Sequence, residues 1–410
     1  MLALMVSELQ TGNMSRVYRA ASLTTGPVAL MAFIVPLWAG EAVGADPSQI
    51  GALLATELVI AFIARPFAGR IADSIVKWLV AVLGSLVIAV AFGVYALSDA
   101  LVSLPLAFTA AAITGIGSSF ALVALRAMVG EESGRSSGAF AKLLSAEETG
   151  TWASFVVGLV FLGFVENYAL LFVASAAVSV IAAAFLVVAR PRSDFVEIST
   201  KPEVNHAPSA SANLTSRLRP LMVAVAITSV AEAALGILLL LHLQRAFNLS
   251  IVGIALVFLP GSIAAAVLPT YLHRFVIRFG RRRAVVAAAA MSSVFAAGLA
   301  FAESPLVVAA LWIATGVAWA TLFPIEQAIF SEISDGRVAR SMGLYSAAGL
   351  FGSALGSLLG GIAYDAFEWQ VACVGGAALI ALGAVITPIA MNRADIADHP
   401  RGTSTRATAE

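Results

Sequence analysis

The sequence predicts an all-α integral membrane protein with twelve transmembrane helices in two pseudo-symmetric six-helix bundles. Three observations predict this: the composition, the recurrence of long apolar stretches, and the placement of lysine and arginine. Of 410 residues, 60% are hydrophobic and 12% charged, with a mean hydropathy of +0.94. A soluble domain carries about 25% charged residues. Apolar stretches of roughly 20 residues recur, each long enough to cross about 30 Å of hydrocarbon as a helix. They fall near 20–41, 48–68, 78–98, 103–125, 141–163, 168–189, 220–243, 252–272, 284–302, 305–328, 342–363 and 370–391. With the N-terminus placed inside, every one of the 24 Lys and Arg except Arg245 lies in or beside a cytoplasmic segment. That is the bias the positive-inside rule demands, and a missed or extra span would scramble it.

The N-terminus lacks a small-residue cleavage site after a short apolar core, so the first span is expected to remain. The polar, Pro-, Ser- and Ala-rich stretch PRSDFVEISTKPEVNHAPSASANLTSRLR divides the spans six and six. The expected organisation is therefore a first bundle over 1–190, a cytoplasmic linker over 191–219, a second bundle over 220–392 and a cytoplasmic tail over 393–410. The expected outer loops carry Glu41, Asp46, Asp99, Glu166, Glu303, Asp365 and Glu368. The net charge of zero offers no basic face for nucleic acid. A single cysteine, Cys373, excludes an intramolecular disulfide or a cysteine-based metal site. The four histidines lie far apart, and no HExxH or phosphate-cradling GxxxxGK[ST] pattern occurs. GRSSG at 134–138 matches the nucleophile-elbow pattern formally but lacks the preceding strand that chemistry requires. No metal, no cofactor and no enzymatic activity are expected.

The two halves resemble each other. LPL at 104–106 recurs as SPL at 304–306, TGIG at 114–117 as TGVA at 315–318, and GR at 134–135 as GR at 336–337. Three matches in order at a nearly constant offset point to a duplicated six-helix unit. Internal repeats of this kind are characteristic of secondary transporters.

The stretch RPFAGRIADSIVKW (65–78) resembles the loop between the second and third spans of the major facilitator superfamily, Gly-x-x-x-Asp-Arg-x-Gly-Arg-Arg. Gly69, Asp73 and Lys77 match, whereas Ser74, Val76 and Trp78 depart from it. The equivalent stretch of the second half, HRFVIRFGRRR (273–283), keeps Arg278, Gly280, Arg281 and Arg282, with His273 and Ile277 in the glycine and aspartate places. IVPLWAGEAVGADPSQIGALL and RSMGLYSAAGLFGSALGSLLGGIAYDAFEW are similar to first and eleventh spans of the same superfamily. The resemblance implies that fold and the transport of a small molecule. It also implies that Asp73 meets the cytoplasmic end of span eleven, where the positive end of a helix dipole favours a carboxylate. Gly69, Asp73, Lys77, Arg278, Gly280 and Arg281 then belong to a cytoplasmic gate; the alternative is that the basic residues only enforce topology. Gly352, Gly356, Gly360 and Gly361 resemble the superfamily's glycine-rich antiporter motif, but in span eleven instead of five, with Ser357 in the proline place. Span five keeps only Gly150 and Gly158, which counts against drug:proton antiport in particular.

Charges inside spans are costly and are functional by default. Spans three, six, nine and twelve carry none, whereas Glu57 lies in span two, Glu147 and Glu148 in span five, Glu232 in span seven and Glu326 in span ten. The resemblance implies that these four helices line a central cavity. Glu57 lies about 13 Å from the outer end of its span and Glu232 about 18 Å from the inner end. A carboxyl near the midplane must be protonated, paired or watered. Glu232 and Glu57 are therefore the candidates for proton coupling and cargo contact; the alternative is a protonated side chain bonded between helices. Glu148 lies about 27 Å from the outer end of span five, near the cytoplasmic face. With Lys142 and Arg126 at similar depth, Glu147 or Glu148 is expected to pair across the inner mouth; a solvated helix end is the alternative. Trp152 and Trp319, with Glu326, are candidates to line the cavity, helix packing being the other role for the two indoles.

Without an ATP site, movement must draw on an existing gradient. The function expected is a proton-coupled exporter of a small neutral or cationic amphiphile, because the spans hold no excess of basic residues. The rivals are a proton symporter taking up a metabolite and a transporter-like membrane sensor. The expected partners are a small-molecule substrate, protons and the lipid bilayer. The expected setting is a monomer in the cell membrane with both termini cytoplasmic.

Overall fold

The computed structural model describes residues 2–45, 47–133, 138–165, 167–189, 208–249, 251–334, 336–394 and 396–399. Its helices are α1 (Leu2–Glu41), α2 (Pro47–Ser74), α3 (Lys77–Leu101), α4 (Leu104–Ser133), α5 (Ala139–Val165), α6 (Tyr168–Ala189), α7 (Pro208–Arg245), α8 (Ile251–Val267), α9 (Pro269–Phe279), α10 (Arg281–Leu299), α11 (Pro305–Glu332), α12 (Val338–Ala366) and α13 (Trp369–Arg393). Among the described residues, eleven helices are long and apolar enough to cross a membrane, and α8 with α9 supplies a bent twelfth. Helices are what this composition dictates, because hydrocarbon offers backbone N–H and C=O groups no partner but each other. Helix ends have identifiable causes. Val102 takes the left-handed conformation (φ 48°, ψ 49°) that closes α3. Ser304 caps α11 by accepting from Val307 N–H, with Pro305 at the first helical position.

Two compact units are present. Unit 1 comprises Met1–Glu131, Ala146–Ala207 and Gly336–Leu344. In it α6 packs along α3 and α1. The backbones of α1 and α5 approach at Gly26 and Gly150, where a side chain on either would strike the other helix. A Cβ on Gly115 of α4 would sit 2.6 Å from the Glu57 carbonyl oxygen of α2. The core is aromatic towards one end. Trp38 is fully buried, meets Tyr95 and Phe172 edge-on at 5.7 and 5.2 Å, and donates its indole N–H to Asp99 at 2.6 Å.

Unit 2 comprises Glu132–Ser145, Pro208–Asp335 and Tyr345–Glu410. Its internal pairings repeat those of unit 1: α13 packs along α10 and α7, and α11 lies against α8. Gly316 crosses Gly261 of α8 in near-backbone contact, and a Cβ on Gly360 of α12 would sit 2.6 Å from the Ala234 carbonyl of α7. Gly115 and Gly316 come from the repeated TGIG and TGVA segments, so the repeat marks equivalent close crossings. Trp312 anchors this core between Phe258 and Phe295 at 4.7 and 5.5 Å.

Two expected boundaries differ in the structure. The linker expected over 191–219 ends earlier, because α7 begins at Pro208; Leu214 and Leu218, one turn apart, are both fully buried and hold this polar-looking stretch as helix. Residues 190–207 lie outside the described residues. The eighth span, expected as one helix over 252–272, breaks between α8 and α9 with a 58° bend. Pro269 lacks the N–H that would continue the ladder. Beyond α13, Ile396 is buried.

The close crossings give a direct test. Gly115→Val, which drives a side chain into the Glu57 carbonyl, is expected to destabilise by roughly 1–3 kcal/mol. Gly93→Ala, at a position with nothing within 4 Å, is expected to leave stability unchanged. Thermal melting of the two variants in the same detergent makes the comparison.

Candidate functional site

At one end of unit 1, the last turn of α2 holds Asp73. Its two carboxylate oxygens accept from Ala339 N–H at 3.0 Å and Arg340 N–H at 2.9 Å. Helix α12 begins at Val338, so these are first-turn donors without intrahelical acceptors, at the positive end of the dipole. Gly69, one turn before Asp73, permits the approach, since a Cβ there would lie 2.6 Å from the Ala339 carbonyl. From the other side, a Cβ on Gly343 would lie 2.6 Å from the Arg65 carbonyl. Lys77 pairs with Glu131 at 2.7 Å and joins the start of α3 to the end of α4.

Arg126 of α4 reaches both oxygens of Glu147 of α5, at 3.3 and 3.4 Å, and Glu147 is only 5% exposed. Both residues belong to unit 1, so the pairing expected across a mouth is found instead between neighbouring helices of one bundle. The reason is depth. Arg126 sits about two turns before the C-terminal end of α4 and Glu147 about two turns after the N-terminal start of α5, each about 10–12 Å in, so the two meet sideways. Glu148, turned about 100° from Glu147, is half-buried and lies within interaction range of the Trp152 indole one turn on. Trp152 packs on Phe155, which packs on Phe33 of α1.

Higher in unit 1, Glu57 is half-buried on α2. Its electrostatic neighbours are Arg65, two turns along the same helix, and Tyr95 of α3.

Unit 2 contains a different arrangement. Glu326 of α11 is 6% exposed and accepts from the Tyr345 hydroxyl at 3.2 Å. Glu232 of α7 lies within electrostatic range of Glu326 and of Trp319, and keeps accessible surface where Glu326 is sealed. Trp319 stacks on Phe323 and meets Trp312 edge-on at 5.5 Å, while its Nε1 makes no hydrogen bond of normal geometry. Among the described residues, neither acid is in an ion pair.

The α9–α10 corner of unit 2 gathers the other basic residues singled out by sequence. Arg281 is 2% exposed, forms a two-oxygen ion pair with Glu332 at the end of α11, and donates to the Ala397 carbonyl at 3.4 Å. Asp398 caps the start of α10: its side chain accepts from Arg282 N–H at 2.8 Å and its carbonyl from Arg281 N–H at 2.7 Å. Gly280 (φ 86°) lies beneath the Asp398 carboxylate with no room for a side chain. Arg278 is exposed and lies over the Phe279 ring. Thus Gly280 and Arg281 form an internal brace of unit 2, whereas Gly69 and Asp73 meet α12 in unit 1. Sequence reading missed Arg65, Glu332, Tyr345 and Asp398. Glu332 has a signal in hindsight, since Lys77–Glu131 and Arg281–Glu332 are corresponding pairs in the two halves.

Twelve spans, duplicated halves and the Asp73 loop set against the start of α12 together match a known pattern. The family model described as Major Facilitator Superfamily matches residues 20–268 and 221–408. The chain belongs to the major facilitator superfamily. It is a multi-pass membrane transporter, since members of that superfamily carry small molecules across membranes. Two solved structures show the same fold. One is the human organic anion transporter MFSD10 (TETRAN), with a TM-score of 0.71 at 17% identity over 92% of this chain and 99% of that one. The other is the proton:xylose symporter XylE bound to 6-bromo-6-deoxy-D-glucose, with a TM-score of 0.73 at 12% identity over 93% of this chain and 96% of that one. No individual curated protein sequence matches the chain.

The Arg126–Glu147 pair of this transporter makes a measurable prediction. Arg126→Leu strands a buried carboxyl and is expected to destabilise by about 3–5 kcal/mol. Arg126→Leu with Glu147→Leu is expected to recover most of that loss. Unfolding of the single and double variants measures the coupling directly.

Proposed function

We propose that this transporter is a secondary active exporter, coupled to proton entry, whose cargo is a small neutral or cationic amphiphile. We further propose that it acts as a monomer in the cell membrane with both termini cytoplasmic. The observation that carries the reading is the pair Glu232 and Glu326. Two carboxyls stand on facing helices without a cation among the described residues, one of them buried and one half-buried. Holding negative charge in so apolar a place is costly, and a proton or a cargo cation relieves it. Glu232 is the proton carrier in this scheme, and Glu57, with Arg65 beside it, is the second. Glu326, with Trp319 and Trp152, contributes to the walls. Asp73, Gly69 and Lys77 close the basic end of unit 1 against α12, and Arg126, Glu147 and Glu148 brace the helices behind it. An acid pair of this kind favours protons and cations over organic anions, the cargo for which the fold neighbour MFSD10 is named.

The test uses proteoliposomes under an imposed pH gradient, screened with neutral and cationic fluorescent amphiphiles. Wild-type protein is expected to drive dye against its gradient, and a protonophore to stop it. Glu232→Gln keeps shape and hydrogen bonding but cannot release a proton. It is expected to lose gradient-driven transport while keeping dye exchange at zero gradient. Full gradient-driven transport in that variant, or efflux at full rate after the gradient is collapsed, overturns the reading.

A further inference from the structure

Helix α9 carries none of the residues that the transport reading uses. It is 11 residues long, turns 58° away from α8, and follows a 17-residue helix that already approaches spanning length. Its rotation about its own axis is fixed. Val276 is buried in unit 2, His273 lies against the Gly138 turn, and the Asp398 clamp holds its end at Gly280. With one face so fixed, Tyr271, Phe275 and Phe279, spaced one turn apart, stand outward at 61%, 40% and 38% exposure. Arg274 and Arg278, also one turn apart, are exposed on the adjoining flank, about 60–100° round the helix from the middle of the aromatic row. Among the described residues neither arginine is in an ion pair. Arg278 lies over the Phe279 ring at 5.3 Å, which leaves its guanidinium at the border between the two flanks.

An aromatic flank beside an arginine flank on a short helix bent out of a span is the pattern of a helix lying in a membrane interface. The aromatic flank fits the boundary of the acyl chains. A guanidinium fork fits the oxygens of a phosphodiester, and a negative surface attracts it further. We infer that α9 is an interfacial docking helix, with Tyr271, Phe275 and Phe279 seated in the bilayer boundary and Arg274 and Arg278 binding anionic phospholipid headgroups. The occupant is lipid because charge and apolarity lie side by side along one helix. A protein partner would bury the aromatic row without requiring both arginines at its edge. The corresponding stretch of α2 continues unbroken to Ser74, and it carries the exposed row Phe67 and Ile71, continued by Ile75 just past its end, with a single exposed arginine, Arg70. The in-plane helix therefore belongs to the second half alone.

The experiment uses the full-length transporter. Mass spectrometry of the intact protein counts phosphatidylglycerol retained from mixed phosphatidylglycerol and phosphatidylcholine nanodiscs. Arg274→Gln with Arg278→Gln is expected to weaken phosphatidylglycerol retention by roughly fivefold per arginine. The charge-matched control Arg219→Gln with Arg393→Gln is expected to change it little. A nitroxide at Phe275→Cys, in a Cys373→Ser background, is expected to report the depth of the headgroup boundary, shielded from a water-soluble relaxing agent and accessible to oxygen. Equal retention in both double variants overturns the inference, as does a label open to the aqueous agent. Shielding that appears only at high protein-to-lipid ratio assigns the face to a second copy of the chain and also overturns it.

Discussion

The absence of any hydrogen-bonding partner in hydrocarbon is the constraint on which the rest of this structure depends. It forces the backbone into helices and lets side-chain charge persist only where another protein group meets it. The described ion pairs follow that rule. Lys77 meets Glu131, Arg126 meets Glu147 and Arg281 meets Glu332, each joining two helices within one unit near the basic end. Burial makes Arg126–Glu147 and Arg281–Glu332 rigid braces, because removing either partner would strand a charge in a low dielectric, whereas Glu131 of the first pair is exposed. Glu326 is met by the Tyr345 hydroxyl and Glu232 lies within range of Trp319, but among the described residues neither is in an ion pair, and the functional reading rests on that exception.

Close backbone contact is the second consequence. Without a hydrophobic drive between helices in lipid, association depends on van der Waals contact, and small residues give the most of it. Gly26 with Gly150, and Gly316 with Gly261, bring main chains together in the two units. Gly352, Gly356 and Gly360 do the same for α12 against Ala226, Val230 and Ala234 of α7. Glu232 sits on that closely packed α7, so a carboxyl and a tight helix seam share one element.

The halves are duplicates in packing and have diverged in detail. Both tie the start of a third-type helix to the end of a fourth-type helix by an ion pair. The first half then spends its loop carboxylate, Asp73, on the start of α12. The second half has Ile277 in that place and His273 where the first has Gly69. Its close approach is preserved by moving the small residue to the other side, at Gly138 (φ 89°). The carboxylate at its corner comes instead from Asp398, which is distant in sequence.

Composition, span recurrence and the repeated TGIG and TGVA segments were enough to determine a helical, twelve-span, duplicated membrane fold. Each depends on hydrophobic length or on local pattern, which the chain carries residue by residue. The superfamily loop pointed to Asp73 for the same reason. What the chain could not carry was distance between remote residues. That Glu147 meets Arg126 inside one bundle, that Glu326 answers to Tyr345 and stands within range of Glu232, and that Asp398 clamps Gly280 and Arg281 are matters of tertiary packing. The 58° break at Pro269 and the early start of α7 at Pro208 were likewise decided there. Pro66 lies inside an unbroken α2 while Pro269 ends a helix, so a proline alone fixes neither outcome. The contacts around it decide, because they determine whether the backbone groups it frees find partners.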